Sequence, residues 1–156
     1  MFDLANIVGR QHVVPGLNAG DKDSLLAELA RRAALALKTG ALKADEAMIK
    51  NALAARERLG STGVGQGIAI PHARLDGLKQ PFGMFARIEP PIDFGAIDDR
   101  PVDLVFLLLT PAAGGAHLAA LAAIARRLRD PAVASAIRGA ANAREIFDQL
   151  TAPCDP

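Results

Sequence analysis

The sequence has little cysteine, no excess of one sign of charge and no long apolar run. Its single cysteine, Cys154, lies in the terminal TAPCDP segment, which excludes an internal disulfide. Eighteen basic residues and seventeen acidic ones give a formal net charge of +1. No block of like charge is long enough for a polybasic surface, which argues against nonspecific nucleic-acid binding. The most apolar stretch, Val102 to Pro111, contains Asp103 and is shorter than the roughly 20 apolar residues of a membrane span.

The beginning of the chain, MFDLANIVGR, has neither the basic region nor the apolar core of a secretory signal. Together these absences predict a soluble cytoplasmic protein with no membrane insertion and no nucleic-acid partner. A chain of 156 residues suits roughly one domain with one continuous core. We therefore predict a single domain over residues 1–156, with about 1–150 as the ordered core and a short C-terminal tail.

Helical and extended patterns alternate along the chain. Apolar residues at spacings of three and four predict helices over about 22–38, 44–58, 117–128, 131–137 and 143–150. Asp21 is predicted to cap the first helix and Gly40 to end it. Short apolar runs predict strands at about 12–14, 68–70 and 82–89, with Pro15-Gly16 as a turn, 73–81 as an exposed loop and Pro90-Pro91 as a stop. The run 102–111 is predicted to be the central strand, covered on both faces.

A glycine-rich stretch, GSTGVGQGIAIPHA, runs from Gly60 to Ala73 and contains His72. Glycine lets main-chain N–H groups come close to a ligand, so such a loop beside a nucleophile indicates an anionic substrate. A nucleotide P-loop is excluded, because Gln66 stands where the lysine should be and a helix rather than a strand precedes the loop. The dinucleotide fingerprint fails for the same order of elements. Pro71 stiffens the backbone immediately before His72.

Several groups near the loop suit a phosphoryl group carried on His72. Neutral imidazole is a competent nucleophile near neutral pH, since its ordinary pKa is about 6.5. Phosphoryl transfer mainly requires positioning and stabilisation of negative charge, which the loop N–H groups, such as that of Gly63, and the Ser61 and Thr62 hydroxyls are placed to supply. Arg56 lies one turn before the loop and can reach an anion there. The alternative for Arg56 is a solvated side chain paired with a local glutamate.

A second histidine, His117, is predicted to open the helix that follows the central strand, a common position for site residues in α/β sheets. The three histidines and the terminal cysteine lack the spacing of zinc ligands. The sequence therefore predicts no metal site, and the residues alone support an anion-directed His72 and no more.

Two longer stretches resemble a known family. ARERLGSTGVGQGIAIPHA resembles the signature of the type-2 enzyme IIA domains of the bacterial phosphoenolpyruvate-dependent phosphotransferase system (PTS), which include the fructose, mannitol and nitrogen-regulatory domains. IEPPIDFGAIDDRPVDLVFLLLTP, followed by AHLAALAAIARRL, resembles the second characteristic block of that group. The similarity covers nearly the whole chain and is greatest to the nitrogen-regulatory enzyme IIA.

The resemblance implies an α/β fold, a small mixed β-sheet flanked by helices on both sides. It implies that His72 accepts a phosphoryl group from a histidine-containing phosphocarrier protein (HPr- or NPr-like), that Arg56 stabilises the phosphate and that His117 is an active-site partner, without a cofactor. Regulatory proteins such as kinases or transporters are the implied targets. Two alternatives stay open: a fructose or mannitol IIA component that passes phosphate to a separate IIB, and a partner-binding module without catalysis.

Overall fold

The computed structural model describes residues 3–37 and 45–153, and the predictions at Lys38, Gly40, Ala44 and Cys154 lie outside these residues. Six strands of the described chain form one mixed sheet. They are β1 (Val8–Leu17), β2 (Gly63–Gly65), β3 (Ile68–Ala69), β4 (His72–Leu75), β5 (Phe82–Ile92) and β6 (Val102–Pro111). The helices there are α1 (Lys22–Leu37), α2 (Glu46–Arg58), α3 (Ala116–Arg129), α4 (Pro131–Arg138) and α5 (Ala143–Thr151).

Strand β6 is the centre of the sheet, as its composition predicts. The strand order is β1-β5-β6-β3-β2, and β4 also pairs with β6 beyond β3. β6 is antiparallel to β5 and parallel to β3 and β4. Its side chains alternate between two cores, because successive residues of a strand point to opposite faces. Leu104, Phe106 and Leu108 belong to one core, and Val105, Leu107 and Leu109 to the other.

Helices cover both faces of the sheet, so the predicted fold class is confirmed. The apolar residues of α1 and α2 pack in the core that contains Val105, and those of α3, α4 and α5 pack in the core that contains Phe106. Side-chain caps fix where several helices begin: Asp45 accepts from the N–H of Ala47 at 2.8 Å, at the start of α2. Within the described part of the chain, no helix is both long and apolar enough to cross a membrane.

Two strands continue through prolines at which we predicted them to end, and β1 also begins earlier than predicted, at Val8. β1 continues through Pro15-Gly16, which we predicted as a turn, because β1 is an edge strand on which a missing N–H can be tolerated. β5 continues through Pro90-Pro91 to Ile92. Its pairing with β6 is irregular between Arg87 and Ile92, so the prolines lie where the ladder is already interrupted.

The region around the glycine-rich stretch also holds more strand than predicted. Residues 73–75, predicted as the start of an exposed loop, belong instead to β4, in which buried Ala73 and Leu75 alternate with exposed Arg74. β2 and β3 form a hairpin closed by Gln66 and Gly67, both with positive φ (60° and 79°), as a tight two-residue turn of this type requires. Much of the stretch is therefore a β-hairpin.

Candidate active site

His72 is the first residue of β4, directly after Pro71. β4 runs parallel to β6 with His72 opposite Leu108, and the N–H of Leu108 donates to the carbonyl of Pro71 at 3.0 Å. Two constraints therefore fix the backbone at His72: the pairing with the central strand and the fixed φ of Pro71. The His72 side chain is half-buried, so it has a defined position and still meets solvent.

Hydrogen bonds define the tautomer of His72. Nδ1 lies 2.7 Å from the carbonyl oxygen of Ile70, which can only accept, so Nδ1 carries the proton. The Nε of Arg56, which can only donate, lies 3.1 Å from Nε2. Nε2 therefore presents its lone pair, and the ring is neutral. Burial lowers the pKa of His72 below its ordinary value; the hydrogen bond to Ile70 opposes this shift, and the charge of Arg56 adds to it.

Arg56 reaches His72 from the last turn of α2. Its Nη1 also donates to the carbonyl of Gly60 at 2.9 Å, so the guanidinium bridges the glycine stretch and the imidazole. These contacts use two of the five donors of a guanidinium. The structure thus places Arg56 at the loop, as predicted, and none of the ion pairs found among the described residues joins it to a glutamate.

His117 lies in the first turn of α3, one residue after the helix begins, and its side chain is buried. Its ring centroid is 5.3 Å from that of His72, with 57° between the ring planes. Its Nδ1 lies 2.5 Å from the hydroxyl oxygen of Thr110, a fully buried residue near the end of β6. Because a hydroxyl can donate or accept, this contact orients the ring in either neutral tautomer. Burial lowers the pKa of His117, and the positive charges of Arg74 and Arg56, together with that of His72 when it is protonated, act in the same direction.

The loop residues predicted to bind phosphate engage one another and Glu57. The N–H of Gly63 donates to the Ser61 hydroxyl oxygen at 3.0 Å. The N–H and the hydroxyl of Thr62 both donate to Oε1 of Glu57. The Ser61 hydroxyl can still donate, whereas a phosphate contact from Thr62 would require it to leave Glu57. Binding of phosphate by these three residues stays a prediction; in this structure the N–H of Gly63 and the two donors of Thr62 make contacts within the protein.

The glycines of the hairpin are explained by close packing. A Cβ on Gly63 would lie 2.8 Å from the Cβ of Ala96, and a Cβ on Gly67 would lie 2.6 Å from Nη2 of Arg138. Both distances are shorter than carbon and nitrogen atoms tolerate. The two glycines therefore allow the connection after β5 and the end of α4 to pack closely against the hairpin. This role in packing differs from the contact with a ligand that the sequence suggested.

Sequence reasoning missed Glu57 and Thr110. Glu57 lies in the last turn of a helix, where a negative charge interacts unfavourably with the helix dipole. This unfavourable position was the one sign in the sequence that Glu57 has a specific role. Its ion-pair partner, Lys22, is 35 residues away in the chain. Thr110 was visible as a hydroxyl at the end of an apolar strand, seven residues before His117. In both cases only the fold brings the partners together.

The family described as "Phosphoenolpyruvate-dependent sugar phosphotransferase system, EIIA 2" matches residues 6–152. The chain belongs to this type-2 enzyme IIA family. Membership gives it a general role in phosphoryl transfer, in concert with other proteins of that system. Among the described residues, no three His, Cys, Asp or Glu side chains are grouped as metal ligands.

Individual relatives of this enzyme IIA chain have informative names. A nitrogen regulatory protein of Bradyrhizobium diazoefficiens is 44% identical over 151 residues, which are 96% of this chain and 95% of the relative. The crystal structure of the nitrogen regulatory protein IIA-Ntr from Neisseria meningitidis is 36% identical, with a TM-score of 0.85 over 95% of this chain and 99% of that one. A fructose-specific EIIA component of Haloferax volcanii is 44% identical over 101 residues, or 64% of this chain and 66% of the relative.

Proposed function

We propose that this enzyme IIA chain accepts a phosphoryl group on Nε2 of His72 from the phosphohistidine of a small phosphocarrier protein (HPr- or NPr-like). The observation that carries the proposal is the hydrogen bonding of the imidazole, whose Nδ1 donates to Ile70 and whose Nε2 presents its lone pair. A half-buried, neutral imidazole with one fixed tautomer is poised to attack without a separate base.

The proposed transfer balances without an external acid or base. The lone pair of His72 Nε2 forms a bond to phosphorus while the P–N bond of the donor breaks, and that electron pair returns to the donor's ring nitrogen. The proton on Nδ1 stays on His72, where the carbonyl of Ile70 stabilises the positive charge that the ring acquires. The phosphoryl group meanwhile moves from one imidazole to another, so the step is readily reversible.

Two side chains are placed to balance the charge of the phosphoryl group. Arg56 donates to Nε2 before the reaction and must release it, and its fork of donors can then turn to the phosphoryl oxygens. His117, whose ring centroid is 5.3 Å from that of His72, provides a second imidazole on the side of α3. Arg56 and His117 thus act on the phosphoryl group, and Ser61 supplies a hydroxyl from the loop.

The names of the relatives support a regulatory role. The nitrogen regulatory protein of Bradyrhizobium diazoefficiens matches almost the whole chain at 44% identity, and the IIA-Ntr structure from Neisseria meningitidis has nearly the same fold throughout. In the proposed role the chain works as one cytoplasmic domain over residues 1–156. Its phosphorylated and free forms then act differently on regulatory targets such as kinases or transporters.

The test is phosphorylation in a reconstituted chain of transfer. Phosphoenolpyruvate, enzyme I and the phosphocarrier should convert the protein to a form heavier by about 80 Da, the mass of one phosphoryl group, and the adduct should be labile in acid and stable in alkali. His72→Ala should abolish the adduct. His12→Gln is the matched control, because His12 lies in β1 against the Phe82 ring and should leave the adduct intact. An adduct that persists in His72→Ala would refute the assignment.

A second function is favoured by the fructose-specific relative, which is 44% identical over 101 residues. In that case the phosphoryl group would pass from His72 to a separate sugar-specific IIB protein. Mixing the phosphorylated chain with an isolated IIB and following the loss of label distinguishes the two. The regulatory proposal predicts no rapid transfer, whereas transfer within seconds to IIB would favour the sugar pathway.

A further inference from the structure

Glu57 is a buried carboxylate beside the proposed active site that the phosphoryl chemistry does not use. It follows Arg56 on α2, and its side chain is only 6% exposed. Three donors converge on it: the N–H of Thr62 at 2.9 Å, the hydroxyl of Thr62, and Nζ of Lys22 at 2.9 Å. A buried carboxylate with this many donors around it is fixed in place.

The contacts of Glu57 continue to the reacting imidazole through the backbone. Thr62, held by Glu57 through two donors, uses its own carbonyl to accept from the N–H of Ile70 at 3.0 Å. The carbonyl of Ile70 in turn accepts from Nδ1 of His72 at 2.7 Å. The contact that defines the tautomer of His72 thus ends a three-step path that begins at Glu57.

Glu57 also belongs to the same helical turn as the other contact of the ring. Arg56 donates to Nε2 of His72 and to the carbonyl of Gly60, while Glu57 holds Thr62, two residues further along the same loop. One turn of α2 therefore fixes the loop at two points; it contacts Nε2 of the imidazole directly through Arg56, and it is linked to Nδ1 through Thr62 and Ile70. Lys22, which also lies 4.6 Å from the Phe94 ring centroid, ties this turn to the start of α1.

We propose that Glu57 is a positioning residue for phosphoryl transfer: through Thr62 and Ile70 it holds His72 in the Nδ1–H tautomer, with Nε2 directed at the phosphoryl donor. It makes no contact with the phosphoryl group and removes no proton. This inference rests on the proposed function for its effect on transfer rate, but its effect on the tautomer exists in the unphosphorylated protein.

The experiment uses the variant Glu57→Gln and records long-range ¹H–¹⁵N spectra of the histidine rings in the unphosphorylated chain. The amide of the introduced glutamine can accept at its oxygen only, so that one atom cannot serve both Thr62, whose two donors share Oε1 of Glu57, and Lys22, which uses Oε2. We expect the Nδ1 and Nε2 shifts of His72 to move toward each other as both tautomers become populated. The rate of phosphorylation should fall about ten- to a hundredfold, the usual effect of a small misplacement of a reacting group. KM for the phosphocarrier should be unchanged.

Glu28→Gln is the matched control. Like Glu57, Glu28 is a helical glutamate that forms ion pairs, in this case with Arg31 and Arg32, but it lies on α1 outside the site. It should leave the His72 spectrum and the rate as in the wild type. If Glu57 serves only the stability of the fold, E57Q will lower the unfolding temperature while the folded protein keeps one tautomer and the wild-type rate; that result overturns the proposal.

A second variant covers the case in which E57Q does not fold. Thr62→Val keeps the shape of the side chain and the N–H but removes the hydroxyl that donates to Glu57. A partial shift of the His72 nitrogens in folded T62V supports the relay, and an unchanged spectrum overturns it. Failure of the proposed function gives a different result. In that case neither the wild type nor any variant carries phosphate on His72, but the unphosphorylated wild-type ring still shows the Nδ1–H tautomer.

Discussion

Replacing Arg56 by glutamine tests how the site balances charge during transfer. The guanidinium has opposite effects before and during the reaction. Before attack it donates to Nε2 at 3.1 Å and so stabilises the resting imidazole by about 1.5 kcal/mol, the low end for a hydrogen bond of a charged group. During the proposed transfer its donors would face the phosphoryl oxygens, where one preorganised donor is worth about 3–4 kcal/mol.

The difference favours the wild-type protein by about 2 kcal/mol, so R56Q should accept phosphate about 30-fold more slowly. Quenched-flow measurement with saturating phosphocarrier gives the rate constant directly. Because the charge of Arg56 adds to the lowering of the His72 pKa by burial, the pKa of His72 should also rise toward its ordinary value in the variant. An NMR titration of the imidazole measures that shift.

Arg58→Gln is the control, because Arg58 occupies the same last turn of α2 and is exposed. It removes the same charge without the contact to His72 and should phosphorylate at the wild-type rate. A rate for R56Q within about threefold of the wild type would refute this reasoning. Arg56 would then stabilise the transfer step by hardly more free energy than its hydrogen bond gives the resting imidazole.

Three further predictions concern acidity and stability. Since burial lowers the pKa of His72, phosphoryl acceptance should hold as the pH falls to about 6.5 and decline only below it; an NMR midpoint at or above that pH would contradict this. Burial also lowers the pKa values of His12 and His117, so the unfolded chain binds more protons than the folded one below about pH 6.5. The free energy of unfolding in urea should therefore fall as the pH drops from that value toward the lowered pKa values, and a rise would show the sign to be wrong. Phe106→Ala removes a fully buried ring from the central strand and should reduce that free energy by about 3–5 kcal/mol, whereas Ile97→Ala, at a 73% exposed side chain, should change it by less than about 0.5 kcal/mol.

The elements with strong periodic patterns could be predicted from the sequence. β6 is recognisable as a buried strand because its residues are apolar without interruption from Leu104 to Leu109, and α3 shows the three- and four-residue spacing of a helix with one apolar face. The strands that sequence reasoning missed or shortened depend on their neighbours. β4 has only four residues and exists because β6 offers it a partner, and β1 tolerates Pro15 because it lies at the sheet edge.

Part of the site could also be predicted from the sequence. The glycines and the proline around His72 pointed to this residue as the reactive one, and Arg56 could be placed one helical turn before the loop. The fold adds what no local pattern carries: the tautomer set by Ile70, and the burial of His117 against Thr110. Thr62 shows the limit most clearly, because a hydroxyl in a glycine loop suggests a phosphate ligand while the fold directs it to a buried glutamate.

In the proposed function the phosphoryl group is carried on one specified atom, Nε2 of His72. Phosphorylating ¹⁵N-histidine-labelled protein and recording long-range ¹H–¹⁵N spectra with ³¹P coupling identifies the nitrogen bound to phosphorus. We expect coupling to Nε2 of His72, with the proton retained on Nδ1 opposite Ile70. Phosphorus on Nδ1 of His72, or on the ring of His117, would contradict it.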